Sequence, residues 1–173
     1  MLGYAKTTRE VKYILSQGLV KVDGKVRREL RFPVGLMDVI EISKTNDRFR
    51  VLPKVRKGFY LHPISEDEAK IKPLRIDNKT TVKNGDIQLN FHDGTNYLVR
   101  VSDPKNPVED VYKSKDTVVL SLENKTIVNH ISLKENVLAL VIAGKNVGFW
   151  GEILSIEKRY GPHASIVTLR KSG

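Results

Sequence analysis

The sequence predicts an α+β protein, mostly β, on three observations. One short amphipathic helical pattern lies near the N-terminus, apolar runs with period-two alternation follow it, and glycine, asparagine and proline punctuate the chain between those runs. At 173 residues the chain holds one domain of average size or two to three small ones, so the strands are expected to form small antiparallel β-domains.

The helix comes first. Thr7-Thr8-Arg9-Glu10 reads as a capping box with Thr7 as N-cap, and Val11, Ile14 and Leu15 follow at helical spacing. Gly18 ends the helix, because a left-handed cap carries no side-chain penalty in glycine. Residues 19–22 form a β-run, Asp23-Gly24 is a tight-turn signal, and residues 25–28 start the return strand. Pro33 and Gly35 interrupt the pattern before Leu36, Val39, Ile40 and Ile42 resume it as a strand. Residues 43–46 mark a boundary.

The middle of the chain reads as short strands at 49–52 and 59–61. A second capping box, Ser65-Glu66-Asp67-Glu68, follows, and its acidic residues suit the positive end of a helix dipole better than a metal. Turns at Asn84-Gly85 and Asp93-Gly94 flank a half-buried strand in which Ile87, Leu89 and Phe91 alternate with Gln88 and Asn90. Tyr97, Val99 and Val101 continue the alternation, and residues 118–122 and 126–131 add two strands. Beyond them, residues 137–142 form a strand, Gly144, Gly148 and Gly151 suggest a tight β-arc, with an ordinary hairpin and a glycine-rich turn as the alternative, and Ile153 and Ile156 precede the basic pair Lys158-Arg159. The expected division is 1–44, 45–131 and 132–173.

The charge is localised. The formal net charge is +10, with 14 basic against 6 acidic side chains in residues 1–60, 10 against 11 in 61–133, and 6 against 3 in 134–173. An excess concentrated at one end indicates a phosphate-binding face more than a solubilising surface. In the first segment Lys6, Arg9 and Lys12 lie on or beside the helix, and Lys21, Lys25, Arg27, Arg28 and Arg31 follow the hairpin. Several cations converging on one surface are what a nucleic-acid backbone requires.

Other chemistries lack their residues. The longest apolar run, 137–143, is far shorter than the roughly 20 residues of a membrane helix. The first eight residues lack a secretory leader's apolar stretch and the sequence has no cysteine, so an intracellular protein is expected and the sequons at Asn78 and Asn124 read as incidental. His62, His92, His130 and His163 are far apart and unaccompanied by metal-ligand spacing, so no metal is expected. No phosphate loop, dinucleotide fingerprint or nucleophile elbow is present. No catalytic residue or cofactor is predicted.

Two stretches carry a resemblance. Leu2-Gly3-Tyr4-Ala5-Lys6-Thr7-Thr8-Arg9-Glu10-Val11, continuing through residues 18–27 to Phe32-Pro33-Val34-Gly35-Leu36-Met37-Asp38-Val39, resembles the small-subunit ribosomal protein four of archaea and eukaryotes, the S-four-E family. Leu61-His62-Pro63-Ile64, Asn78-Lys79-Thr80-Thr81 and Leu89-Asn90-Phe91-His92-Asp93-Gly94 resemble its central domain, and Gly144-Lys145-Asn146-Val147-Gly148 up to Gly151 looks like its KOW motif. The resemblance implies an S-four-like RNA-binding module, a small central β-domain and a C-terminal KOW domain, an SH-three-like β-barrel. It also implies a non-catalytic constituent of the small ribosomal subunit in the cytoplasm. Its partners would be ribosomal RNA and neighbouring ribosomal proteins, with no membrane and no small-molecule substrate.

Carried over residue by residue, RNA contacts are expected from Lys6, Thr7, Thr8, Arg9, Lys12, Lys21, Lys25, Arg27, Arg28 and Arg31, and from Lys145, Asn146, Lys158 and Arg159 of the KOW stretch. The sequence departs from the family pattern in lacking a basic extension and helix before Leu2, in stopping at Gly173, and in placing Phe149-Trp150 where smaller or basic residues are common. Those aromatics are read as packing groups for the core or for a partner protein, with stacking on a base as the alternative. Two other readings compete. Arg75-Ile76-Asp77 resembles the catalytic stretch of pseudouridine synthases, but Leu74 replaces the preceding glycine, too few residues remain for that catalytic domain, and a turn carboxylate explains Asp77. A translation or transcription factor using a KOW arm is the other.

Overall fold

The computed structural model describes residues 2–55, 58–159 and 165–171. The chain forms two compact units, one of Met1–Leu52, Tyr60–Leu74 and Val118–Asn129, the other of Pro53–Phe59, Arg75–Thr117 and His130–Gly173. Among the described residues no helix is long and apolar enough to cross a membrane. His163 lies outside the described residues.

In the first unit, helix α1 spans Thr8–Ser16 and turns Val11, Ile14 and Leu15 to its half-buried side. Thr7 is the N-cap, accepting at Oγ1 from the Glu10 N–H at 3.3 Å. The Glu10 carboxylate accepts from the Lys6 N–H at 2.7 Å, one residue earlier than the expected box, and that bond holds its pKa below the usual range. Gly18 follows the helix at φ +70°. Strands β1 (Val20–Val22), β2 (Lys25–Val26), β3 (Val39–Ile42), β4 (Asp47–Lys54) and β5 (Gly58–Pro63) form a sheet of order β2-β1-β3-β4-β5. β3 pairs with β4 across residues 43–46, Val39 opposite Arg50 and Ile42 opposite Asp47. Val22, Val39, Phe49, Val51, Ala69 and Leu74 are buried in this unit. Each large side chain among them contributes about 1.5–3 kcal/mol.

Helix α2 (Glu66–Ala69) begins at the expected capping box: the Ser65 hydroxyl accepts from Glu68 N–H, and the Glu68 carboxylate accepts from Ser65 N–H. It is followed by the longest strand, β6 (Ile71–Thr81), the centre of a sheet of order β10-β9-β6-β7-β8. Its partners are β7 (Ile87–Phe91), β8 (Asn96–Val99), β9 (Thr117–Ser121) and β10 (Ile127–Ile131). The expected turn near Asp77 is therefore strand. The sequence conceals it because Pro73 and Asn78 resemble breakers and a lysine, Lys72, fills an inward position. The inward alternation is nevertheless complete, with Lys72, Leu74 and Ile76 all buried. A β-bulge between Ile76 and Asn78 resets the register against β7.

In the second unit Ile76, Ile87, Leu89 and Phe91 form the core of the β6–β7 layer. The segment after β8 is tied down by Lys79, whose Nζ reaches Asp110 at 2.6 Å and the Tyr112 carbonyl at 2.6 Å. Strands β11 (Leu138–Leu140), β12 (Trp150–Glu157) and β13 (Ile166–Lys171) form a three-stranded antiparallel sheet with Ile153 buried. β13 has no counterpart among the strands expected from sequence. β11 and β12 pair antiparallel, with Gly151 inside β12 opposite Ala139, so residues 141–149 are a hairpin loop and not the expected β-arc, closed where Val141 and Gly148 donate to the Phe149 and Val141 carbonyls at 2.8 Å each. Trp150 is 47% exposed, so it does not join the core.

Candidate RNA-binding surface

The cations of the helix and hairpin share one property: they are unpaired. Lys6, Arg9, Lys12, Lys25, Arg28 and Arg31 are exposed and Lys21 and Arg27 half-buried, and among the described residues none of the eight lies within ion-pair distance of a carboxylate. Several cations elsewhere are neutralised. Arg48 lies 3.3 Å from Glu66, Lys70 3.1 Å from Asp67, Arg75 2.7 Å from Asp77 and Lys79 2.6 Å from Asp110. Positive potential therefore persists where the carboxylates are missing.

Local structure brings part of this set together. The end of α1 approaches the return strand at Gly18: a Cβ there would meet Val26 Cγ1 at 3.3 Å and the Arg28 guanidinium at 3.7 Å. Arg27 donates its backbone N–H to the Val20 carbonyl, and its guanidinium carbon lies 4.1 Å from the centroid of the Phe32 ring. That stacking fixes a planar cation in place. Its Nε is buried and has no hydrogen-bond partner among the described residues. Phe32 is absent from the contacts expected from sequence, since nothing in the local pattern announces a stacking platform.

Lys21 points elsewhere. Val20 and Ile42 line an apolar groove of about 510 Å³ with α1 and residues 2–5, whereas the next positions, Lys21 and Glu41, line a polar groove of about 420 Å³. Period-two alternation separates the two faces of the sheet. In the polar groove Lys21 and Lys25 share space with Arg48, Lys70, Glu41, Glu66 and Glu123, a mixed-charge setting. Lys21 is opposite Glu41 in the β1–β3 register.

The C-terminal candidates fall into two places. Lys145 and Asn146 are exposed on the hairpin loop before β12, and Lys158 and Arg159 follow its far end. Eight strand residues separate the pairs, roughly 25 Å at the usual rise per residue. Arg159 lies 3.7 Å from Glu157, so its charge is partly compensated. Thr7 is occupied as the helix cap, leaving its hydroxyl hydrogen available to a ligand. Among the described residues no group of His, Asp or Glu is arranged to hold a metal ion.

Beneath the surface lies a buried ion triad. Lys72 Nζ, on β6, reaches Asp23 at 2.7 Å and Asp38 at 2.6 Å. Asp23 also accepts from the Val39 N–H at 2.9 Å and Asp38 from the Gly35 N–H at 2.7 Å. The hairpin turn and the 35–38 loop are thereby fixed to one cation.

Comparison with known proteins agrees with this architecture. Residues 1–40 match the S4 domain and residues 45–127 match the ribosomal family S4e. The chain is 50% identical over 169 residues to the small ribosomal subunit protein eS4 of Aeropyrum pernix and 52% identical over 169 to that of Staphylothermus marinus. Each comparison covers 98% of this chain and 67% of the relative. The crystal structure of the 30S ribosomal protein S4e from Thermoplasma acidophilum superposes with a TM-score of 0.78 at 31% identity, covering 94% of this chain and 78% of that one. An S4 domain at the N-terminus, the S4e family match after it, and relatives alike along nearly the whole chain show that this protein belongs to the ribosomal family S4e.

Proposed function

We infer that this chain is a non-catalytic constituent of the small ribosomal subunit, in the cytoplasm, that binds ribosomal RNA and packs beside other ribosomal proteins. Its family membership supports the role, and the observation that carries the binding mode is the set of eight unpaired cations within the S4 match. Phosphates are the complement of such a surface, and contacts to them fix register on the RNA more than they select bases.

The proposed contacts are Lys6, Thr7, Thr8, Arg9, Lys12, Arg27, Arg28 and Arg31 on the helix and hairpin side, with Lys21 and Lys25 contributing from the polar groove. Lys145, Asn146, Lys158 and Arg159 would form two separate contacts in a KOW domain. The division into an RNA-binding module at 1–44, a central β-domain at 45–131 and a KOW domain at 132–173 is part of the same proposal.

The test is binding to small-subunit rRNA fragments across a salt series, with a variant carrying Arg9→Ala, Lys12→Ala, Lys25→Ala and Arg27→Ala. The wild-type affinity should fall steeply with salt, and the log–log slope of the variant should be shallower by about 0.7–0.9 for each phosphate it no longer neutralises. An unchanged slope would remove the residue assignment.

A further inference from the structure

The central sheet presents a second surface of different chemistry. On β6 and β7 the positions facing away from Ile87, Leu89 and Phe91 are Asn78 and Thr80, opposite Asn90 and Gln88 respectively. On β8 the next residue in the first row is Asn96, opposite Asn90. These five side chains are amides and a hydroxyl, and Asn78, Thr80 and Asn96 are exposed.

The amides are pre-oriented. Gln88 Nε2 donates to Asn90 Oδ1 at 2.7 Å, and Asn90 Nδ2 donates to Asn78 Oδ1 at 2.5 Å and to Thr80 Oγ1 at 3.0 Å. Asn90 spends both donors inside the network. The Asn78 amino group, the Gln88 carbonyl, the Thr80 hydroxyl hydrogen and the whole Asn96 amide remain available, given what each group can donate and accept. Ordering these side chains in advance lowers the entropy cost of binding.

The surface lacks what other partners need. It has no aromatic, methionine or free arginine anchor of the kind that centres a protein interface. Leu98, opposite Gln88, is exposed at its edge, but leucine is under-represented among such anchors. The face itself also has no cation for a phosphate. Neutral donors and acceptors on a flat sheet match the wide, shallow minor groove of A-form RNA, which displays 2′-hydroxyls and base edges. Charge complementarity comes from one end of the β7–β8 hairpin, where exposed Lys83 precedes β7 and exposed Arg100 follows β8, neither in an ion pair among the described residues.

We propose that the amide face formed by Asn78, Thr80, Gln88, Asn90 and Asn96 docks into the minor groove of a double-helical segment of ribosomal RNA through its 2′-hydroxyls, with Lys83 and Arg100 on the flanking phosphates. This rests on the rRNA-binding reading above. The amide contacts of this face add affinity without counterion release, beside the two phosphate contacts of Lys83 and Arg100.

The experiment measures binding of the full chain to rRNA fragments across a salt series, with ribose footprinting by hydroxyl radicals. One variant carries Gln88→Ala and Asn96→Ala, and a second carries Thr80→Glu and Asn96→Glu at exposed positions, so that the outcome does not hang on the folding of one protein. The alanine variant should bind about tenfold more weakly, with a slope lowered by no more than the two phosphates of Lys83 and Arg100 account for, and should lose one block of ribose protections in a duplex. The glutamate variant should lose the same block. Protections removed by the Arg9/Lys12/Lys25/Arg27 variant should persist in both. Wild-type affinity and footprint in both variants would overturn the inference alone, as would an alanine-variant slope reduced by more than the two phosphates of Lys83 and Arg100 account for. A wild-type chain that binds no rRNA would overturn the proposed function and this inference with it.

Discussion

Lys72 and Asp38 form a 2.6 Å ion pair in which the lysine side chain is 4% exposed. Asp23 completes the triad from the other side. Burial opposes the charge on Lys72, but the hydrogen bonds and charges of the two aspartates outweigh it and raise the ammonium pKa above the ordinary lysine value.

Lys72→Met should therefore destabilise the protein by about 3–5 kcal/mol, because it leaves two carboxylates facing a vacated charge. A folded-state pKa raised above the unfolded value stabilises fully below the unfolded value and loses that contribution as pH rises through the raised one. The deficit of the variant should be full at neutral pH and shrink only in strong alkali. Urea denaturation at several pH values checks this, and adding Asp23→Asn and Asp38→Asn should recover part of the stability. A deficit below about 1 kcal/mol would mean the triad holds nothing in place.

Gly148 and Gly144 offer a matched pair in one hairpin loop. Both have positive φ, +86° and +85°. A Cβ on Gly148 would lie 2.6 Å from the Val55 backbone nitrogen and 3.0 Å from the Lys54 carbonyl carbon, whereas one on Gly144 meets nothing within 4 Å. Gly144→Ala should cost about 1–2 kcal/mol, the left-handed penalty alone. Gly148→Ala should cost clearly more, since backbone must move as well. Equal melting temperatures for the two variants would show that the close approach to residues 53–55 is not constraining.

Asp116 is 3% exposed and accepts from Leu133 N–H at 2.9 Å and Lys113 N–H at 3.1 Å, with His130 Nε2 at 2.8 Å. Burial raises its pKa, but these bonds outweigh burial and lower it overall. A lowered folded-state value contributes stability above the unfolded carboxyl value of about 3.9 that disappears as pH falls through the folded one. Asp116→Asn should lose about 2 kcal/mol at pH 7. Below about pH 4 its stability should fall less than that of the wild type. Parallel curves for the two proteins in that range would exclude Asp116 as a source of acid sensitivity.

Local signals reach much of this fold because they act over a few residues. Thr7 and Ser65 are caps, Gly18 takes the left-handed conformation, and Ile87, Leu89 and Phe91 are buried in alternation, each as its neighbours in sequence require. β6 is hidden because Pro73, Asn78 and Lys72 contradict a central strand locally, and the aspartates contributed by residues 23 and 38, distant in sequence, help make a buried lysine tolerable there.

The sequence by itself determined the strand-rich class, the excess of positive charge in the first 60 residues and the residues that carry it, since composition and period need no neighbours in space. Only the tertiary structure decided which cations remain free. Arg48, Lys70 and Lys79 are spent on carboxylates, Arg27 is stacked on Phe32, Lys21 faces a groove lined by glutamates, and Lys145 is held a strand's length from Lys158. The amide face of β6, β7 and β8 arises in the same way, from a bulge and a cross-strand register that bring residues 78, 90 and 96 into one row. Pairing and stacking depend on distance in space, which strand register and chain reversal set and which the order of residues along the chain does not display.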